Sequence, residues 1–302
     1  MLRLASLTQP QFEKVAKATG KTQFITIDFS HYVEFSRWCM QRKGIAFVEH
    51  AYAPVAHILP ILSLRVCGAR PHLSDSSRML PVPAEGGAAQ RTSDRAMKKK
   101  GATAAPVLVT PDGTVLRDSW EIAKYAGFSP VEPALQSLLD EELGPLTRQL
   151  AYSHILKGSN SGITNRLFAM CGGFVWKVLW YAGLGFFVKR AMVSSLRTDD
   201  PAAVSTCRDR LKATFSKLDG VIERKSAPYL GGDLPGAADF ALASLVSPII
   251  GAHDYNLGKF DHLFAEMEAK DPQYAAELQY WRNTNVGEYC LSLYDKFRRE
   301  AE

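Results

Sequence analysis

Residues 24–47 constrain this chain more than any other stretch. The apolar, β-branched run at 24–27 predicts a buried strand. Asp28-Phe29-Ser30-His31 predicts a polar turn. Phe35, Trp38, Cys39 and Arg42 then recur at helical spacing, and Gly44 supplies the stop. A second strand is predicted to start at 45–48. Strand, turn, helix and strand in so short a span make a βαβ unit, which favours parallel pairing and a right-handed crossover. Ser30 sits where the first strand hands over to the helix. Backbone N–H groups there lack partners and the helix dipole is positive, so an anion is favoured. A hydroxyl in that position is also the commonest N-cap, and both readings stand at this point.

Beyond residue 48 the pattern is uneven. An apolar, helix-like stretch over 50–66 is interrupted by Pro54 and Pro60. Residues 67–104 are rich in Gly, Pro, Ser, Ala and charge, too poor in bulky apolar groups to offset their ordering entropy. They read as a long mobile insertion. Structure is predicted to resume as a hairpin: a strand over 105–110, the turn Pro111-Asp112-Gly113, and a return strand over 114–117. Asp118-Ser119 then cap a helix that Gly127 closes. From Val131 onward every pattern is helical, beginning with Pro133 to Leu156 and including a helix opened by Asp200-Pro201. The expected organisation is an N-terminal extension over 1–21, an α/β domain over 22–129 containing the insertion, and an all-helical domain over 130–302. A short amphipathic helix is predicted over 7–18.

At 302 residues the chain can bury a sizeable core, and its 46% hydrophobic and 22% charged residues are those of an ordinary globular protein. The net charge of +5 is concentrated in Lys98-Lys99-Lys100 and Lys296-Phe297-Arg298-Arg299. No basic stripe with interleaved aromatics occurs, which argues against nucleic acid as a partner. The five cysteines, Cys39, Cys67, Cys171, Cys207 and Cys290, show neither CxxC nor metal-ligand spacing. No metal site is expected, and a reducing, cytoplasmic setting fits, with an organelle or membrane association left open. The N-terminus lacks the apolar core of a signal peptide.

Residues 167–188 carry one charge, Lys177, and are long enough to span a bilayer. The central lysine is costly there and four glycines interrupt the run. A buried or partner-facing helix is the favoured reading, with membrane-surface contact as the alternative.

Four motifs, in order, carry a resemblance. Ser30-His31-Tyr32 through Arg37-Trp38 and Lys43-Gly44-Ile45 is one. The others are Ala105-Pro106-Val107-Leu108, Asp118-Ser119-Trp120-Glu121-Ile122-Ala123-Lys124-Tyr125, and Tyr229-Leu230-Gly231-Gly232 to Ala238-Asp239. Together they resemble the glutathione S-transferase superfamily, over residues 22–66 and 101–300. The resemblance implies a thioredoxin-like βαβ–ββα domain followed by an all-α bundle, with glutathione as cofactor. It implies that Ser30 hydrogen-bonds the glutathione sulfur and that a cis bond before Pro106 aims the Ala105 backbone at the cysteinyl amide. Asp118 and Ser119 would hold the γ-glutamyl end, and Asp239 would cap its own helix.

There are departures. His31 replaces the usual proline and is a candidate for proton transfer, its pKa lying in range, or else an exposed turn residue without a role. Ala104 stands where a lysine is common, and Lys98–Lys100 are candidates to replace it. Ser rather than Cys at position 30 favours conjugation, isomerisation or lyase chemistry over thiol–disulfide exchange. The expected enzyme is a detoxifying transferase that activates the thiol of glutathione toward a small hydrophobic electrophile, with a homodimer left open. The rival expectation is a non-catalytic or membrane-associated scaffold of the same fold, similar to the metaxins.

Overall fold

The computed structural model describes residues 9–54, 56 and 105–299. The predicted insertion at 67–104, with Cys67 and Lys98–Lys100, and residues 57–66 of the stretch before it lie outside the described residues.

Helix α1 (Gln9–Thr19) is the expected amphipathic helix and lays Phe12 and Ala16 against the sheet. Strand β1 (Thr22–Ile27) leads through a turn into α2 (His31–Arg42). That helix ends at Gly44, whose φ of 64° only glycine adopts readily. The Gly44 and Ile45 N–H groups fold back onto Gln41 O and Met40 O, both at 3.0 Å. Ile45 is thereby consumed in terminating the helix, so β2 (Phe47–Tyr52) begins later than the sequence pattern indicates. It also runs through residues 50–52, where a helical stretch was expected. Pairing with β1 along its whole length, from Thr22 opposite Phe47 to Ile27 opposite Tyr52, decides those residues.

The hairpin β3 (Val107–Val109) and β4 (Val115–Leu116) closes a four-stranded sheet of order β2-β1-β3-β4. β3 runs antiparallel to β1, with Ile25 opposite Val107 and Gln23 opposite Val109. Side chains alternate across a strand, and both faces are covered. Ile25, Val107 and Val109 meet Phe12 of α1 on one face. Phe24 and Leu108 meet Val33 and Met40 of α2, and Ile122 of α3 (Ser119–Tyr125), on the other.

Beyond residue 130 all described elements are helical. The helix expected from Pro133 is α4 (Pro133–Ser137), a π turn at Leu138–Leu143, and α5 (Gly144–Ile155). Next come α6 (Ser161–Met170), α7 (Phe174–Leu179) and α8 (Gly185–Leu196), the last two joined by a π turn at Trp180–Leu184. Segment 167–188 is therefore not one helix. Gly172-Gly173 separate α6 from α7, and Gly183 at φ 122° breaks the next piece. Its Phe168 and Trp180 are buried and stacked, with centroids 5.1 Å apart, but many of its other large side chains face outward. No helix among the described residues is long and apolar enough to cross a membrane.

α9 (Pro201–Glu223) is capped as predicted, Asp200 accepting from the N–H groups of Ala202 and Ala203 at 3.0 and 3.2 Å. α10 (Ala237–Ile250), α11 (Asp261–Lys270), α12 (Pro272–Arg282) and α13 (Asn285–Phe297) complete the bundle. Every residue of α10 except Pro248 is buried, and it packs on α2, α5, α12 and α13. Its first turn is held by Asp239, whose carboxylate accepts from Leu230 N–H at 2.9 Å and from Gly231 and Gly236 N–H at 2.8 Å each. The loop doubles back so closely that a Cβ on Gly231 would lie 2.3 Å from the Gly236 nitrogen. Asp239 is structural, as the motif implies.

Candidate active site

The site is built where three chain segments end beside one another. β1 delivers Ser30 to the N-terminus of α2 with φ −81° and ψ 122°, the backbone of an N-cap, and the Ser30 carbonyl accepts from Glu34 N–H at 2.9 Å. Its side chain, however, makes no capping hydrogen bond. The half-buried hydroxyl thus stands at a helix start, whose first-turn N–H groups have no acceptor inside a helix. Just before it, Phe29 adopts φ 52°, a sparsely populated conformation for an aromatic residue. It is fixed by ring contacts to Phe168 and Phe260 at 5.3 and 5.8 Å and by the Tyr255 hydroxyl, which donates to its carbonyl.

α3 starts alongside. Phe35 of α2 and Trp120 of α3 pack edge-to-face with centroids 4.8 Å apart. The charge of Asp118 also reaches Tyr32, in the first turn of α2. Asp118 caps α3 by accepting from Trp120 N–H at 2.8 Å, and the Arg117 N–H is held by Glu121 at 3.1 Å. Ser119 is buried in the first turn. The third segment is the bend before β3, where the Ala105–Pro106 bond is cis. Continued two places, the β1–β3 register sets Ala105 beside Ile27. Ser30 thus follows the end of β1 at the start of α2, Ala105 and Pro106 lead into the neighbouring strand β3, and Asp118 and Ser119 open α3, the helix that packs on α2.

His31 is different. It is buried, not exposed, with a hydrogen bond to the Gly144 backbone and an Nε2 that has no partner. Burial, reinforced by the Arg148 charge, pushes its pKa down to about 3. It is neutral at physiological pH, so a proton-transfer role based on titration near neutrality loses its premise. Neighbouring Tyr32 donates from its hydroxyl to Asp140 O at 3.1 Å, and burial, then Asp140, raise its pKa. The fit is close: a Cβ on Gly144 would lie 2.1 Å from the Tyr32 hydroxyl.

Behind the site lies an ion network that sequence reading missed. Arg37 pairs with Glu34 and with Glu49 of β2, each at 2.7 Å, and Glu34 pairs with Arg298, at the end of α13, at 2.8 Å. Thr26 of β1 donates to Glu49 at 2.8 Å, and Lys259 holds Asp28 at 2.8 Å. Arg298, one of the C-terminal cluster that carries part of the net positive charge, is buried. The only local signal was the i,i+3 spacing of Glu34 and Arg37. A cavity of about 70 Å³ is lined by Phe29, His31, Arg148, Tyr152, Tyr255 and Tyr274, among others. The four described cysteines are buried and unpaired, and no group of potential ligands among the described residues could hold a metal.

A thioredoxin-like unit followed by a helical bundle defines the class of fold. Among solved structures it is that of the glutathione S-transferases. Glutathione transferase GSTFuA2 from Phanerochaete chrysosporium superposes with a TM-score of 0.52 at 15% identity, over 92% of this chain and 98% of that one. Glutathione S-transferase CsGST63524 of Ceriporiopsis subvermispora, solved in complex with glutathione, gives 0.47 at 17% identity, over 89% and 97%. No protein-family model and no curated protein matches the chain.

Proposed function

We propose that this chain binds glutathione and holds its thiol as a thiolate for attack on an electrophile, by conjugation, isomerisation or elimination. The observation that carries the reading is the Ser30 hydroxyl, which stands at the start of α2 without capping it. The Tyr32 hydroxyl is committed to Asp140, so Ser30 is the donor left for a sulfur there. Donation to a charged acceptor is worth about 1.5–3 kcal/mol, roughly one to two pKa units on a thiol that titrates near 8.5. The helix N-terminus adds to this. The Ala105 backbone would pair with the peptide as an added strand. Asp118 would meet the γ-glutamyl ammonium, with Ser119 and the first N–H groups of α3 meeting its carboxylate. His31 enters as a neutral group that orders the first turn of α2.

Glutathione-affinity retention and thiol-dependent turnover across several electrophile classes test this. Wild type is retained. Asp118→Ala is not, and Ser30→Ala loses about 10- to 150-fold in turnover, the fold-change matching 1.5–3 kcal/mol. A wild type that passes straight through the column, or a Ser30→Ala variant as active as wild type, overturns the reading. The first result would leave a non-catalytic protein of this fold.

A further inference from the structure

Six large apolar side chains between residues 174 and 187 stand in solvent. Phe174 is 81% exposed, Phe187 68%, Phe186 62% and Tyr181 57%, with Val178 and Leu179 about half exposed. Exposed apolar residues scattered singly need no explanation, but a cluster does. These are not scattered. Phe174 and Val178 of α7 and Tyr181 of the π turn that follows fall at i, i+4 and i+7, the spacing of one helical stripe. On α8, Phe186 and Phe187 pack edge-to-face at 5.5 Å and project from its first turn. The π turn between α7 and α8 is kinked at Gly183. Buried Trp180 and Val188 anchor the opposite side to the bundle.

The charge pattern says what covers this surface. Between Glu142 and Asp199 the sequence contains no Asp or Glu and seven Lys or Arg. Lys177 lies within the α7 stripe, three residues from Phe174, and Arg190 lies four residues from Phe186 on α8. Both are exposed and neither has an acidic partner among the described residues. Lys189 is spent on Asn165, at 2.9 Å. A second copy of the chain meeting this face about a two-fold axis would set Lys177 and Arg190 among their own duplicates, against like charge. An anionic surface with an apolar interior meets both features at once. Aromatic rings enter the headgroup boundary while long basic side chains reach phosphate level. With no described helix able to span a bilayer, the contact is peripheral.

We infer that α7 and α8 form a docking surface for anionic membranes, independent of whether glutathione is bound. The test is co-sedimentation of the full-length protein with phosphatidylcholine vesicles, with and without phosphatidylserine, beside light scattering of the free protein. The protein binds the serine-containing vesicles, binds the neutral ones far less, and is released by salt as the Debye length falls from about 10 Å at 0.1 M to about 3 Å at 1 M. Lys177→Gln/Arg190→Gln binds about thirtyfold more weakly, at about 1 kcal/mol per basic side chain. Phe186→Ser/Phe187→Ser loses at least about a hundredfold, at about 1.5 kcal/mol or more per phenyl ring. Both variants alter exposed side chains and keep the wild-type circular dichroism and melting temperature. Absence of vesicle binding, or binding that neither variant weakens, overturns the inference. So does a dimer in the free protein that the phenylalanine variant dissolves.

Discussion

Replacing Asp239 tests the physical account of the bundle most directly. The carboxylate is fully buried and receives four donors: the N–H groups of Leu230, Gly231 and Gly236 and the Tyr289 hydroxyl. Asp239→Ala removes all four acceptor contacts. Leu230 N–H keeps a weaker alternative, the Tyr289 oxygen at 3.3 Å, but Gly231 and Gly236 keep none nearby. A buried donor left unsatisfied costs about 1–3 kcal/mol, so two orphaned amides plus the lost charge-assisted bonds sum to about 4 kcal/mol. At about 2 °C per kcal/mol for a chain of this length, the melting temperature falls by about 8 °C. Asp239→Asn is the sharper variant. It is isosteric, yet its amide must point its own N–H at either the Leu230 side or the Gly231 and Gly236 side, donor against donor. It costs about 2–3 kcal/mol, far above an ordinary isosteric change. Chemical denaturation measures the totals, and hydrogen exchange at Leu230, Gly231 and Gly236 locates them. An Asn variant within about 1 kcal/mol of wild type, or unchanged exchange at those amides, would refute the reasoning.

Acid stability and thiol chemistry supply two more tests. Burial alone would raise the Glu277 carboxyl, but hydrogen bonds from His154, Arg208 and Trp281 outweigh it and set the pKa to about 2, from an ordinary 4.5. A depressed carboxylate stabilises the fold above the unfolded pKa and loses that contribution as pH falls through the folded one. Wild type therefore loses up to about 3 kcal/mol between about pH 5 and about pH 2 from this group alone, and Glu277→Gln flattens that part of a urea-denaturation series against pH. Separately, burial raises the pKa of Cys39, Cys171 and Cys290 and pushes Cys207 up to about 11. Intact mass after alkylation of the native protein shows at most one adduct, at Cys67, and all five cysteines modified after unfolding.

What could be read from the residues is what local rules decide. Phe24 to Ile27, the Gly44 stop, the Pro111-Asp112-Gly113 turn and the Asp118 and Asp200 caps all rest on neighbours a few positions apart, and each is present. Position in space is what the sequence concealed. His31 looks like a turn residue because its neighbours are polar, yet the α2 start is covered by α5 and it is buried. The strand β2 overran a helical pattern because pairing with β1 outweighed propensity. Glu34 and Arg298 are 264 positions apart in the chain, and nothing in either neighbourhood announces the other. In 167–188 the glycines were visible, but which apolar residues they would turn outward depends on where the bundle lies.

α2 faces two ways. Val33 and Met40 complete the packing under the sheet, while Phe35, Trp38 and Cys39 belong to the core shared with the bundle. Trp38 sits against Phe240 of α10 and Tyr294 of α13, with ring centroids 4.8 and 4.7 Å away. One helix is thus a structural member of both halves, and neither can be lifted out whole. A chimera joining this sheet to another protein's bundle inherits a tryptophan-shaped socket to fill. It also inherits Glu34, a buried acid whose second counter-ion, Arg298, arrives from the far end of the chain.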